Sequence, residues 1–458
     1  MKPTLNSAVF SPELIARYGI SGWPYPTYPG VQQFTEAFDE DQYKEAVSLS
    51  NGALIPNALS LHVALPYAGP AQSTPTGGIT AKGMYETPGD YLLALHREVE
   101  IQGSLFDNDR QVEDLHLTTV DPWSFGSDDI EDLVGSIERH FNLSRSTLSN
   151  FAINVNALRT SRNDLEDWQK IGIDQINIAT EGFDPTAPTT APRAKPRDDI
   201  LTLLKHARAI GFRSIHVALT YGLPYVPLQR LNQMLGSLLA ILPERISIVP
   251  CKTSTSSAQS VGIDPSPPRE KAIRALEACA SWLITAGYRY IGADQFVRPN
   301  DPLAQAQDGG VLCWHPLGYG AQPGSDYVGL GAGAISQIEH CYSQNAVGSA
   351  GFCEPLHHHH LAVARGLVLS ADDLLRRRII QKLLSFGVVD LEEILAVAGI
   401  SNKNYFALEL EALAPMVKDG LLRLYQNRRI EVTACGRFLS GHICRVFDDY
   451  TDRSIGGQ

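Results

Sequence analysis

Short apolar runs with alternating polarity recur along the first 250 residues, and each is followed by a longer stretch of helical periodicity. The runs predict strands at residues 59–65, 112–118, 151–156, 173–180, 214–220 and 245–250. Helices are predicted between them at 90–101, 128–141, 161–171, 197–210 and 227–242. Strands alternating with helices imply right-handed crossovers and a parallel sheet. Six such units fall short of a closed eightfold barrel. The reading is therefore an α/β chain on an open, partial (β/α)6 barrel.

The flanking segments have a different texture. Residues 1–50 are rich in proline and aromatics and read as an ordered arm, and the barrel is assigned to 51–300. A further strand is expected at 288–293, and residues 301–369 read as a Gly-rich connecting segment with little periodicity. From Ser370 the pattern is helical to residue 458, with Ser370-Ala371-Asp372-Asp373 as a helix start. Two helices and a short hairpin at 390–398, 405–418 and 421–433 suggest a winged-helix-like C-terminal domain.

Composition narrows the class. The 458 residues are 44% hydrophobic and 19% charged, which supports a sizeable core and excludes a disordered or fibrous chain. No apolar run approaches the roughly 18 residues needed to span a bilayer, and Met1 to Ser7 lack a secretory apolar core. A cytoplasmic protein without a membrane partner is expected. A formal charge of −12 repels phosphate backbones, so no nucleic-acid partner is expected. The arginine runs 376–378 and 428–429 read as a solvated helix face and a hairpin. All seven cysteines lie at or beyond Cys251, scattered and without a CxxC pair, which argues against a disulfide framework or a zinc ribbon.

Chemistry in a parallel barrel gathers where strands end. Those ends supply His62 and Tyr67, His116 and Asp121, Asn154 and Asn156, Glu181, then His216 and Tyr221. Only same-parity residues of a strand share the interior, as His116 and Thr118 do, or Asn154 and Asn156. Two other motifs are set aside. Gly329-Leu330-Gly331-Ala332-Gly333 lacks the full dinucleotide spacing and is followed by no βαβ unit. Histidines 357–360 point in different directions on any regular backbone and read as an exposed loop.

Several segments carry a resemblance over nearly the whole chain. They are Tyr25-Pro26-Thr27-Tyr28-Pro29, Tyr221-Gly222-Leu223-Pro224 and Ile291-Gly292-Ala293-Asp294-Gln295-Phe296-Val297-Arg298-Pro299. Cys341-Tyr342-Ser343-Gln344-Asn345 and Leu413-Ala414-Pro415-Met416-Val417-Lys418-Asp419-Gly420-Leu421 add to them. The chain resembles the oxygen-independent coproporphyrinogen III oxidases, which are radical S-adenosylmethionine (SAM) enzymes. The resemblance implies a partial SAM-radical barrel with a helical C-terminal domain, agreeing with the independent strand count.

The departures from that family bear directly on chemistry. The family carries CxxxCxxC just after the first strand, where three thiolates hold an iron–sulfur cluster. The equivalent residues 65–74 contain no cysteine. Asn154 stands where an acidic group is expected, Glu181 where a glutamine is, Ala218 where an aspartate is, and His62 where an aromatic is. The expectation is a protein without an iron–sulfur cluster, unable to run the radical oxidation. Polar SAM-dependent chemistry on a small-molecule substrate, alkyl transfer or cyclisation, takes its place. It needs a general base and no metal. Glu181, His62 and His216 are the candidate bases, and Tyr28, Tyr67, Asn154, Tyr221 and Gly222 the candidate SAM contacts. The alternative is a non-catalytic tetrapyrrole or haem binder, with His315 or the 357–360 histidines as axial ligands.

Overall fold

The computed structural model describes residues 10–20, 25–65, 87–120, 125–144, 150–157, 160–179, 197–221, 227–250, 269–347 and 349–451. The chain divides into two compact units, and both are discontinuous in sequence. One holds residues 33–218 and 324–369; the other holds 1–32, 219–323 and 370–458. These units cut across the four segments read from the sequence, dividing 301–369 between Pro323 and Gly324.

The first unit is built on β1 (Leu59–Ala64), β2 (Gln111–Val120), β3 (Asn142–Leu143), β4 (Asn150–Asn156), β5 (Gln175–Ala179) and β6 (Ser214–Tyr221), the last running just past its boundary. β1, β2, β4, β5 and β6 pair in parallel in that order, and the two-residue β3 pairs with β2. Leu61, Val63, Leu115, Leu117, Ile153, Ile176, Ile178, Ile215 and Val217 are all buried and share one strand parity. That is the face covered by crossover helices, and burying each such side chain contributes about 1.5–3 kcal/mol. The helices form where read and carry local start signals. Ser161 Oγ accepts the Asp164 N–H at 3.2 Å while the Asp164 carboxylate accepts the Ser161 N–H at 2.7 Å.

The Gly-rich segment holds more structure than its pattern predicted. In the second unit, after β7 (Arg245–Pro250), β8 (Arg289–Gly292) and β9 (Gln295–Val297) of the barrel segment, it forms the hairpin of β10 (Cys313–His315) and β11 (Gly318–Gly320). In the first unit it forms β12 (Asp326–Leu330), β13 (Ile335–Ile338) and β14 (Cys341–Asn345), followed by β15 (Val363–Val368). β12 adds in parallel beside β1, and β13 to β15 continue antiparallel. All five residues of β12 are buried, so a strand covered on both faces shows no alternation to read. The fold is a partial barrel with a mixed sheet.

The glycine motif of residues 329–333 makes the β12–β13 turn. Gly331 has φ 98°, and a β-carbon there would lie 2.5 Å from Ala64 O and from the Tyr91 hydroxyl. Its N–H donates to Glu98 Oε2 at 2.6 Å, and the Ala332 N–H donates to Tyr91 Oη at 3.1 Å. The amides a phosphate would need are thus spent internally, consistent with setting the dinucleotide reading aside.

The C-terminal part of the second unit has helices at Ala371–Phe386, Leu391–Val397, Ala407–Ala412 and Ala414–Lys418 with β16 (Val388–Asp390), β17 (Leu422–Leu424) and β18 (Arg429–Val432) as a three-stranded sheet. Ser370 caps the first helix as read, with Asp373 in the reciprocal role. Arg376 corrects the solvated-face reading. It is 6% exposed and bonds Asp372 at 2.6 Å and Glu409 at 2.9 Å. Helix Pro12–Tyr18 of the arm belongs to this unit and is tied to it through Arg17 and Asp419 at 2.7 Å. Among the described residues no helix is long and apolar enough to cross a membrane.

Candidate functional site

The inner face of the parallel strands is lined by the opposite parity from the core. Its side chains form two hydrogen-bonded rows across β1 to β6. The deeper row begins at Ser60, whose hydroxyl donates to Asp114 Oδ2 at 3.1 Å. Asn150 Nδ2 donates to Asp114 Oδ1 at 2.6 Å, and Gln175 Nε2 donates to Asn150 Oδ1 at 2.6 Å. This row is nearest the strand N-termini and holds the sheet in register.

The second row lies one pleat closer to the strand C-termini. His62 pairs with His116 in register, their rings 6.3 Å apart, and Asn154, Asn177 and His216 continue across β4 to β6. Asn154 Oδ1 accepts from Asn177 Nδ2 at 2.6 Å and lies 2.8 Å from His116 Nε2. Asn177 Nδ2 also lies 3.1 Å from His116 Nε2, so this nitrogen sits between the two amides. The Thr118 hydroxyl donates to Val63 O at 3.3 Å, so His62 Nε2, 2.9 Å away, is the donor to Thr118 Oγ1. Both histidines are thus oriented by partners on neighbouring strands. Nearer the mouth the same face carries small side chains, Ala64, Thr118, Ala179 and Ala218. The face thus presents imidazoles and amides with small residues beyond them.

Of the side chains anticipated at the mouth, His62, His116, Asn154 and His216 come together on this face, all partly exposed. Asn177 was missed, although its polarity between Ile176 and Ile178 is the signal that would have found it. Tyr221 is a correction. Its parity is that of Val217 and Leu219, it is 1% exposed, and burial beside Asp294 raises its hydroxyl far above the usual range. Tyr28 is a second correction. It is 3% exposed, accepts the Asp449 N–H at 3.3 Å and packs 6.2 Å from the Tyr450 ring. It therefore serves the tail of the second unit. Glu181, Tyr67, Gly222 and Asp121 lie outside the described residues, as does the Asn156 side chain.

The haem-ligand candidates are not arranged for that role. His315 Nδ1 accepts the Leu317 N–H at 3.3 Å, which puts its own proton on Nε2, the nitrogen an iron would need. Histidines 357–360 are exposed, and His360 pairs with Glu40 at 3.0 Å. Among the described residues, no three His, Cys, Asp or Glu side chains gather as a metal site.

The comparisons with known proteins agree over the whole chain. The oxygen-independent coproporphyrinogen III oxidase of Pseudomonas aeruginosa is 30% identical over 450 residues, 97% of each chain. That of Escherichia coli is 30% identical over 442 residues, 95% of this chain and 94% of the relative. The solved structure of the Escherichia coli coproporphyrinogen III oxidase, described as a radical SAM enzyme, superposes with a TM-score of 0.85 at 29% identity. That match covers 96% of this chain and 99% of the other. No protein-family model matches.

Proposed function

Because the chain belongs to the family of oxygen-independent coproporphyrinogen III oxidases, we propose that it keeps that family's barrel for SAM and uses it for polar chemistry on a small substrate, either alkyl transfer or cyclisation. The observation that carries this reading is the donor set. Residues 65–74 hold no cysteine, and none of the seven precedes position 251. Burial pushes the Cys279 thiol up to about 12 and the Cys435 and Cys444 thiols upward as well, and among the described residues no three His, Cys, Asp or Glu side chains gather as a metal site. These residues do not fit an iron–sulfur cluster.

The inner shelf fits a polar co-substrate better. SAM, when bound, supplies an electrophilic sulfonium carbon. Asn154 and Asn177 are placed to orient a ligand edge, since their amides are already fixed by each other and by His116. His62 Nε2 contacts Thr118 Oγ1, His116 Nε2 contacts Asn154 and Asn177, and His216 lies beside Asn177 in register. His62, His216 and Glu181 are the proposed proton acceptors for an incoming nucleophile. The apolar layer behind the strands limits water from that side and strengthens each polar contact.

Calorimetry on the full chain with SAM and with haem, alongside iron and sulfide analysis after anaerobic reconstitution, tests the proposal. We expect SAM binding in the micromolar range, on the order of −8 kcal/mol, without stoichiometric iron or sulfide. A flat titration up to millimolar SAM would overturn it. So would a stoichiometric cluster lost on replacing any cysteine.

A further inference from the structure

The polar row that holds His62 does not stop at β1. His62 pairs with Gly329 of β12, Ile335 of β13 pairs with Gln344 of β14, and Gln344 pairs with Arg365 of β15. Gly329 lies against Ile335, since a β-carbon at 329 would fall 2.5 Å from Ile335 O. One level of the sheet therefore runs from the histidines, through a residue without a side chain, to an amide and a guanidinium. Parity puts that pair on the inner face. Asn345, next to Gln344, bonds Glu98 of helix Pro88–Leu105 at 2.6 Å. Gly366, next to Arg365, backs against the Phe38 ring. The outer side is thus taken by their neighbours, and Gln344 and Arg365 point the other way.

The guanidinium is aimed by what surrounds it. Arg365 Nε donates to Gln344 Oε1 at 2.8 Å, and Gln344 Nε2 donates to Gly333 O at 3.1 Å. Gly333 is itself fixed, its N–H donating to Ala346 O at 3.0 Å. One pleat deeper on the same face, the buried ring of Tyr342 stacks on that of Phe34 with centroids 5.6 Å apart. The amide thus orients Arg365, and the aromatic pair lies beneath it. Only Nε is spent. Among the described residues the terminal nitrogens of Arg365 have no hydrogen-bond partner, and no carboxylate pairs with it. No residue of the row is an acid. Arginine keeps its charge at any working pH, so a part-buried, oriented positive fork stands here without a counter-ion.

We propose that Arg365, positioned by Gln344, binds an oxyanion of the small-molecule substrate, a carboxylate or a phosphate, and so fixes which end of that substrate lies away from the histidines. Nη1 and Nη2 offer two parallel N–H groups that match either anion, and a charge-assisted pair of this kind is stronger than a bond to a neutral acceptor. The proposal rests on the inner face being the site of SAM and substrate, but the oxyanion contact itself does not require SAM.

The probes are benzoate, phenyl phosphate and the neutral benzamide, each titrated calorimetrically into the full chain, with SAM titrated separately. Wild type should bind at least one anion in the millimolar range and benzamide about tenfold more weakly, the tighter anion identifying the substrate's group. R365A should lose about tenfold in anion affinity, and R365K should keep part of it. Q344E sets a carboxylate of unchanged size beside Arg365, so it should weaken anion binding by a similar factor although the arginine remains. SAM affinity should be unchanged in all three variants. Should R365A fail to fold by circular dichroism, Q344E decides. Anion binding that R365A and Q344E leave unchanged would overturn the proposal. So would benzamide binding as tightly as the anions, or no anion binding to wild type. A loss of SAM affinity matching the loss for the anions would also overturn it, by giving Arg365 to the SAM carboxylate. A flat SAM titration with the anion pattern intact would remove the sulfonium reading and leave the oxyanion site standing.

Discussion

Replacing Glu98 by glutamine removes the carboxyl that clasps the β12–β13 turn. Glu98 sits on helix Pro88–Leu105 with no exposed surface and accepts Gly331 N–H and Asn345 Nδ2, each at 2.6 Å. Burial raises its carboxyl from 4.5 to about 7, the two donors only partly opposing that rise. A tenfold change in proton affinity is worth about 1.4 kcal/mol, so the rise corresponds to about 3 kcal/mol. The folded state holds this proton more tightly than the unfolded chain. Its stabilising contribution is fully present below pH 4.5 and is lost as pH rises to about 7. Glutamine cannot titrate, and its amide NH2 faces a donor in place of one accepted bond, at a cost of about 1–2 kcal/mol. Urea unfolding of both proteins from pH 5 to 8 should therefore show Glu98→Gln less stable at pH 5. The gap should close or reverse by pH 8, a relative change of about 3 kcal/mol. A stability difference that does not vary with pH would refute the argument, whatever its size.

Arg110 and Asp326 form an ion pair at 2.6 Å with side chains 1% and 3% exposed, joined by the Ser50 hydroxyl. Asp326→Ala should cost about 3–5 kcal/mol, and a joint change to Arg110→Met with Asp326→Leu should recover much of it in thermal unfolding. A single variant within 1 kcal/mol of wild type would contradict that account. Glu181→Gln should leave the melting temperature nearly unchanged and weaken SAM binding or activity by roughly tenfold, about 1.4 kcal/mol. A fully active variant, or one that unfolds, would remove Glu181 from the proposed chemistry.

The period-two runs of β1, β2, β4, β5 and β6 were legible in the sequence because each buries one face and exposes polar groups on the other. Alternation then marks both the strand and its parity, and parity alone placed His62, His116 and Asn154 together. The helix starts were equally local, since a cap such as Ser370 with Asp373 is written within four residues. The absence of cysteine from residues 65–74 is also a property of the sequence itself, and it carries the proposed chemistry. Tertiary structure decided what depends on distant partners. β12 became visible only once Asp326 met Arg110 and its strand was buried on both faces. Arg376 looked solvated until Asp372 and Glu409 were found around it. Tyr221 sits at a strand end like the shelf residues, but it is buried on the opposite parity, because a side chain's surroundings are set by the residues that fold against it.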